Sequence, residues 1–213
     1  KTAAARERGQ TVDLDEALQR HEVLSIISHT SRHWQPLGIV LLETGIRIGE
    51  AAALQVRHVN LNRRTLVVEA SKDTAAARFT DNGGYGQDKA TKAWRSDRTI
   101  KLSWLGGAVL RPLVEGTGSE FYVFVGPRGG RLEPDRYRER EWRPAAKAAG
   151  FEGYTPHDIR HHVASVLLSN GVTPRTVAKH MGHSLQTLMK IYAKYFEQDD
   201  DRLKDALDRA ASS

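Results

Sequence analysis

Apolar residues recur at helical spacing through much of this chain, and the breaks in that pattern mark its elements. Asp13 followed three residues later by Glu16 reads as a capping box ahead of Leu14, Ala17, Leu18, Val23, Leu24, Ile26 and Ile27. A first helix is therefore expected from about residue 13. Pro36 opens a second helix through Glu43 with Gly45 as its stop, and 46–54 reads as a third. The period then changes. The β-branched run 65–70 and the alternating 98–102 read as strands. The polar stretch between them carries Asn82-Gly83-Gly84, a loop signal, and leaves room for a third short strand near 86–92.

Helices return from residue 104. One is expected over 104–115, an extended piece over 121–126, and a helix over 134–149 stopped by Gly150. At Thr155-Pro156 the threonine caps, the proline takes the first helical position and Asp158 sits in the first turn of a helix running to Gly171. Thr173-Pro174 repeats the device, Gly182 closes that helix, and Ser184 caps another through residue 194. A last helix from about 199 aligns Leu203, Ala206 and Leu207. The expected class is mainly α with a small antiparallel β-sheet (α+β) in the first half.

The 213 residues suffice for one domain with a real core. A formal charge of +6 permits nucleic acid as a partner without requiring it. With no cysteine, disulfides and thiolate metal sites are excluded. The longest apolar run, 37–42, is far shorter than the roughly 18 residues that span a bilayer, so no membrane partner is expected. The polar opening KTAAARERGQ reads as a linker remnant (1–12) after a further domain, or as a processed terminus.

Several common constellations are missing. GPRGGR at 126–131 lacks the spacing and ending of a phosphate loop, and no G-x-S-x-G elbow or tight carboxylate cluster is visible. Chemistry on phosphodiesters would then proceed without metal or nucleotide cofactor. Arg47 stands in the apolar IRIGEAAAL, three residues before Glu50. The pair is either an exposed i, i+3 bridge or an inward guanidinium, held by a carboxylate, for a phosphate. His157 and Arg160 share one face of a helix whose N-terminus favours an anion. His157, His161, His180 and His183 also allow a zinc reading, but Asp158 stands where the H-E-x-x-H motif needs Glu. Residues 173–194 read equally as a DNA-binding helix-turn-helix, with Tyr192 and Tyr195 on its second helix.

Taken together, TGIRIGEAAAL at 44–54, TPHDIRHHVAS at 155–165 and MGHSLQTLMKIY at 181–192 resemble the tyrosine recombinase (phage integrase) family over about residues 36–195. The resemblance implies the tyrosine recombinase catalytic-domain fold over 13–198. Arg47 and Arg160 would clamp the scissile phosphate, with His157 and His183 flanking and Tyr192 as nucleophile, nine residues after His183. The family's hairpin lysine falls best on Lys92, before a strand resembling R-x-I-P-L, with Lys89 in competition. Glu50 matches the acidic support of the first arginine and His161 the polar residue after the second. Lys194 stands where the family often has a histidine, and Tyr195 is a rival nucleophile. The implied activity is metal- and ATP-free cutting and rejoining of double-stranded DNA through a 3′-phosphotyrosine, by a homo-tetramer on DNA with accessory DNA-bending proteins. The implied setting is cytoplasmic, at the nucleoid or in a phage-infected host. The helix at 199–213 would pack on its own domain or on a neighbouring protomer. A non-enzymatic helix-turn-helix regulator and a type IB topoisomerase are the alternative readings.

Overall fold

The computed structural model describes residues 17–69, 97–197 and 207–211. Helices α1 (Arg20–His29), α2 (Gln35–Thr44) and α3 (Ile48–Ala53) come first. Three strands follow: β1 (Val59–Asn60), β2 (Thr65–Val68) and β3 (Arg98–Lys101). The second half is helical: α4 (Trp104–Val114), α5 (Pro134–Tyr137), a π-helical turn (Arg138–Trp142), α6 (Arg143–Ala148), α7 (Pro156–Ser169), α8 (Pro174–Met181), α9 (Leu185–Ile191) and α10 (Ala193–Glu197). The expected mainly α architecture with a small antiparallel sheet is the one observed.

The centre of the molecule is α2, which packs against α1, α4 and α7. Leu37, Val40, Leu41 and Leu42 on it are buried together with Ile26 and Ile27 of α1, Leu110 of α4 and Ile159 and Ala164 of α7. Each such large aliphatic side chain contributes about 1.5–3 kcal/mol by leaving water. Trp142, just ahead of α6, is buried, and its indole N–H donates to the Tyr154 carbonyl (2.9 Å), so its own polar atom is not stranded.

The sheet runs in the order β1-β2-β3, antiparallel throughout. Leu66 faces Ile100 across β2 and β3, both fully buried. In β3 the alternation of buried and exposed positions puts Arg98 on the same inward face as Ile100, and α8 packs against that strand. The third strand expected near 86–92, the 82–84 loop, Lys89 and Lys92 lie outside the described residues; the third strand observed is β1.

Three boundaries differ from expectation. First, α1 starts at Arg20, capped by Gln19, whose N–H donates to the Glu22 carboxylate (2.8 Å); Ala17 and Leu18 are buried ahead of it. That pair repeats the capping-box spacing closer to the apolar stripe, and Asp13 and Glu16 lie outside the described residues. Second, α3 starts at Ile48 rather than at 46. Third, α9 stops at Ile191 because Tyr192, at φ −108° and ψ 29°, interrupts the helix before α10. Of the C-terminal segment, 207–211 is helical and exposed. Among the described residues no helix is long and apolar enough to cross a membrane.

Candidate active site

Helix α2 ends at Gly45, whose left-handed φ of 64° turns the chain towards α3. Two residues on, Arg47 is extended and serves as the N-cap of α3. Glu50, one turn later, accepts the Arg47 backbone N–H at 2.8 Å and its Nη1 at 3.1 Å. The i, i+3 pair expected from the sequence is thus a capping device that fixes the direction of a cation. It is not an exposed bridge, since only 16% of the Glu50 side chain is accessible.

Glu50 also accepts a two-pronged donation from Arg98, Nη1 at 2.9 Å and Nη2 at 2.8 Å. Burial alone would push the Glu50 carboxyl up. The Arg98 hydrogen bonds and the charges of Arg98, Arg47 and Arg160 outweigh that effect and hold it at about 2.

Helix α7 starts as its sequence implies. The Thr155 hydroxyl accepts the His157 N–H (3.2 Å), while Asp158 accepts the Thr155 N–H (2.7 Å) and hydroxyl (2.8 Å). One turn in, Arg160 is 2% exposed. Its Nη1 donates to the Gly45 carbonyl (2.7 Å), and its Nη2 donates to the Met181 carbonyl and to His183 Nε2 (3.0 Å). One buried side chain therefore joins the end of α2, α7 and the α8–α9 corner. Burial, then the nearby Arg47, pushes the Arg160 guanidinium down to about 9, so it stays charged at neutral pH.

His183 is neutral in this setting: burial, then Arg160, Arg47, His157 and Arg98, push it down to about 3. Because Arg160 donates to Nε2, the proton of the neutral ring sits on Nδ1. Arg160 Nε and His183 Nδ1 are buried donors with no hydrogen-bond partner among the described residues. Buried donors of this kind cost about 1–3 kcal/mol each unless something accepts from them. Arg160 borders a cleft of about 360 Å³ whose lining also includes Arg47, His157, Arg138, Arg143 and Glu139. Such a cleft suits an anion.

Tyr192 is fully buried, and its hydroxyl lies 3.1 Å from His161 Nδ1. The His161 ring in turn stacks edge-on against His157, centroids 4.7 Å apart. A histidine at hydrogen-bond distance from the phenol is therefore His161. The rival Tyr195 donates its hydroxyl to the Leu168 carbonyl (2.6 Å), away from the cleft residues. His180 bonds the Thr44 carbonyl (2.9 Å), and no group of three or more His, Asp or Glu able to hold a metal ion occurs among the described residues. The structure thus brings Arg47, Glu50, His157, Arg160 and His183 to one place and sets His161 and Tyr192 beside it. Arg98, the first position of the strand resembling R-x-I-P-L, is the member that the sequence reading left without a role, although the alternation of that strand placed it facing inward.

Comparison with known proteins bears on this arrangement. The chain is 25% identical over 177 residues to the integrase of Staphylococcus phage L54a, covering 78% of this chain and 49% of that protein. It is 30% identical over 161 residues to tyrosine recombinase XerC of Corynebacterium efficiens, covering 75% of this chain and 45% of that one. The chain therefore spans about half the length of these relatives. Among solved structures, XerA recombinase superposes with a TM-score of 0.63 at 22% identity, covering 89% of this chain and 61% of that one. The Tn1549 transposon integrase in complex with transposon right end DNA gives 0.66 at 18%, covering 94% and 68%. A family model described as the phage integrase family matches residues 16–199, a span that takes in Arg47, His157, Arg160, His183 and Tyr192. With that match over most of its length, the chain belongs to the phage integrase family.

Proposed function

We propose that this chain is the catalytic part of a site-specific DNA recombinase, an integrase, that cuts and rejoins double-stranded DNA through Tyr192. The observation that carries the reading is the pair of unpartnered buried donors, Arg160 Nε and His183 Nδ1, the first on a side chain that lines a cleft with Arg47 and His157 and bonds the ring of the second. They match the oxygens of a phosphodiester. The two arginines and His183 meet the charge that grows on the non-bridging oxygens during attack, and losing one such donor typically costs about 3–4 kcal/mol.

A free phenol ionises near pH 10, so about one in a thousand is reactive at neutral pH, a handicap of about 4 kcal/mol. Nearby guanidinium charge favours the phenolate. His161, at hydrogen-bond distance, is the group that takes the proton, with His157 as its neighbour. Phenolate attack on phosphorus forms the Tyr192–O–P bond and breaks the bond to the 5′-oxygen, leaving a 3′-phosphotyrosine and a 5′-hydroxyl. The bond energy stays in the phosphodiester, so the reverse step rejoins the strand. Lys92 supplies the proton to the departing 5′-oxygen. A 5′-thio leaving group, which needs no acid, should restore cleavage to Lys92→Ala; no rescue removes that role.

The domain division follows the same reading: 13–198 is catalytic, and 199–213 docks on a neighbouring protomer of a homo-tetramer on DNA. DNA-bending proteins assist at the site, and the setting is the nucleoid or host cytoplasm. Relatives named as integrase and as XerC, and the neighbour solved with transposon DNA, support this reading.

Covalent trapping tests it. A duplex with the candidate site and a nick just beyond the cleavage position lets the 5′-hydroxyl piece diffuse away. A denaturation-resistant adduct is expected with the wild type and lost in Tyr192→Phe. Binding without any adduct would favour a helix-turn-helix regulator instead.

A further inference from the structure

Strand β3 carries a buried arginine that this reaction scheme leaves without a role. Only 3% of the Arg98 side chain is accessible. Both of its terminal nitrogens donate to Glu50, and Nε donates to the His180 carbonyl at 2.8 Å, so all three nitrogens are engaged within the protein. Gly182 leaves it room: a Cβ there would lie 2.9 Å from Nη1. Arg98 therefore cannot reach a phosphate, yet the fold commits a glycine and a backbone carbonyl to fixing it against Glu50.

Glu50 explains why. It orients Arg47 through the backbone N–H and Nη1, but as a carboxylate it also competes with any phosphate for that guanidinium. We infer that Arg98 is a positioning residue acting through Glu50: it neutralises the carboxylate that aims Arg47, so that Arg47 meets the scissile phosphate with its full charge. This role rests on the phosphoryl-transfer reading of the site. The His180 carbonyl and Gly182 hold the guanidinium in register, and the effect on the reaction passes through Glu50 alone.

The charges around Glu50 are Arg47 from its own helix, Arg98 from β3 and Arg160 from α7. His180 and His183, at the α8–α9 corner, both feel Arg98, and burial keeps each towards its neutral form. Removing Arg98 leaves burial opposed only by the charges of Arg47 and Arg160, so the Glu50 carboxyl moves up and takes up a proton more readily as pH falls. Protonation then removes the competing charge. The defect should therefore shrink as pH falls.

The experiment is single-turnover adduct formation on the nicked duplex, from about pH 5 to about 8, with DNA affinity measured alongside. Wild type, Arg98→Met, Glu50→Gln and the double variant are compared. Arg98→Met should slow adduct formation by about 10–100-fold at the alkaline end, the range typical of partners one step removed from a charged centre. That loss should narrow at the acid end. In the Glu50→Gln background, where no carboxylate remains to neutralise, adding Arg98→Met should change the rate by less than about threefold. A loss of equal size at every pH and in both backgrounds would reduce Arg98 to a packing residue. Should Arg98→Met not fold, the double variant against Glu50→Gln, neither of which buries an unpaired carboxylate, decides the matter: similar rates uphold the coupling and a large loss overturns it. No adduct even with wild type would sink the phosphotyrosine reading itself; an adduct without coupling sinks only the role of Arg98.

Discussion

Burial and the positive charges of Arg160, Arg47, His157 and Arg98 push the His183 imidazole from its usual 6.5 down to about 3. The folded protein thus refuses a proton that the unfolded chain accepts below about 6.5. The resulting stability is fully present above that pH and is lost as pH falls from 6.5 through 3. Glu50 has the same sign in a lower window: its carboxyl, held at about 2 against an ordinary 4.5, adds stability above 4.5 that disappears towards pH 2. Every tenfold change in proton affinity between the folded and unfolded chain is worth about 1.4 kcal/mol. Urea unfolding at a series of pH values should therefore show His183→Gln with a flatter decline between 6.5 and 3 and an unchanged decline below. His162 and His180 shift in the same direction, so the slope flattens without vanishing. An unaltered slope in His183→Gln would show that the ring already carries its proton in the folded site.

Gly45 shows how an element's end sets the site. Its φ of 64° is left-handed, its carbonyl accepts from Arg160, and a Cβ would sit 3.0 Å from Met181 Cε and 3.1 Å from Val163 Cγ1. Gly45→Ala should cost about 1–2 kcal/mol in thermal unfolding through backbone strain. It should also slow adduct formation by displacing the Arg160 acceptor; full activity at lowered stability would separate the two effects. Gly45 as a helix stop was legible in the sequence, as were the caps at Thr155, Thr173 and Ser184, because these residue types have few other local uses. The break at Tyr192 was not legible. No glycine or proline marks it, and the residue at the break is one whose phenol is fully buried by distant parts of the chain. Strand β1, two residues long, is too short for an alternation to show. Arg98 lay between the two: the alternation of β3 placed it inward, but nothing local revealed Glu50 as its partner 48 residues away.

At the scale of the whole molecule the site is a knot of long-range ties. Arg160 reaches back 115 residues to Gly45 and His180 reaches back 136 to Thr44. Motif order in the sequence named most members of the site, while these closures decide where they stand. The C-terminal segment tests how far the assembly takes part. Deleting 199–213 should weaken assembly on DNA more than it weakens single-site cleavage, read by native gel mobility beside the trapping assay; equal losses would place the segment on its own domain. The burial of Tyr192 gives that comparison a scale. If Tyr192 is the nucleophile proposed above, a phenol with none of its surface accessible must first be uncovered, for instance by opening of the α9–α10 region. If about one molecule in a hundred is open, a bias of about 2.7 kcal/mol, a lone protomer works at roughly a hundredth of its intrinsic rate. Any neighbour that holds the region open recovers up to that hundredfold, and it does so as a change of population alone, with every catalytic residue left as it was.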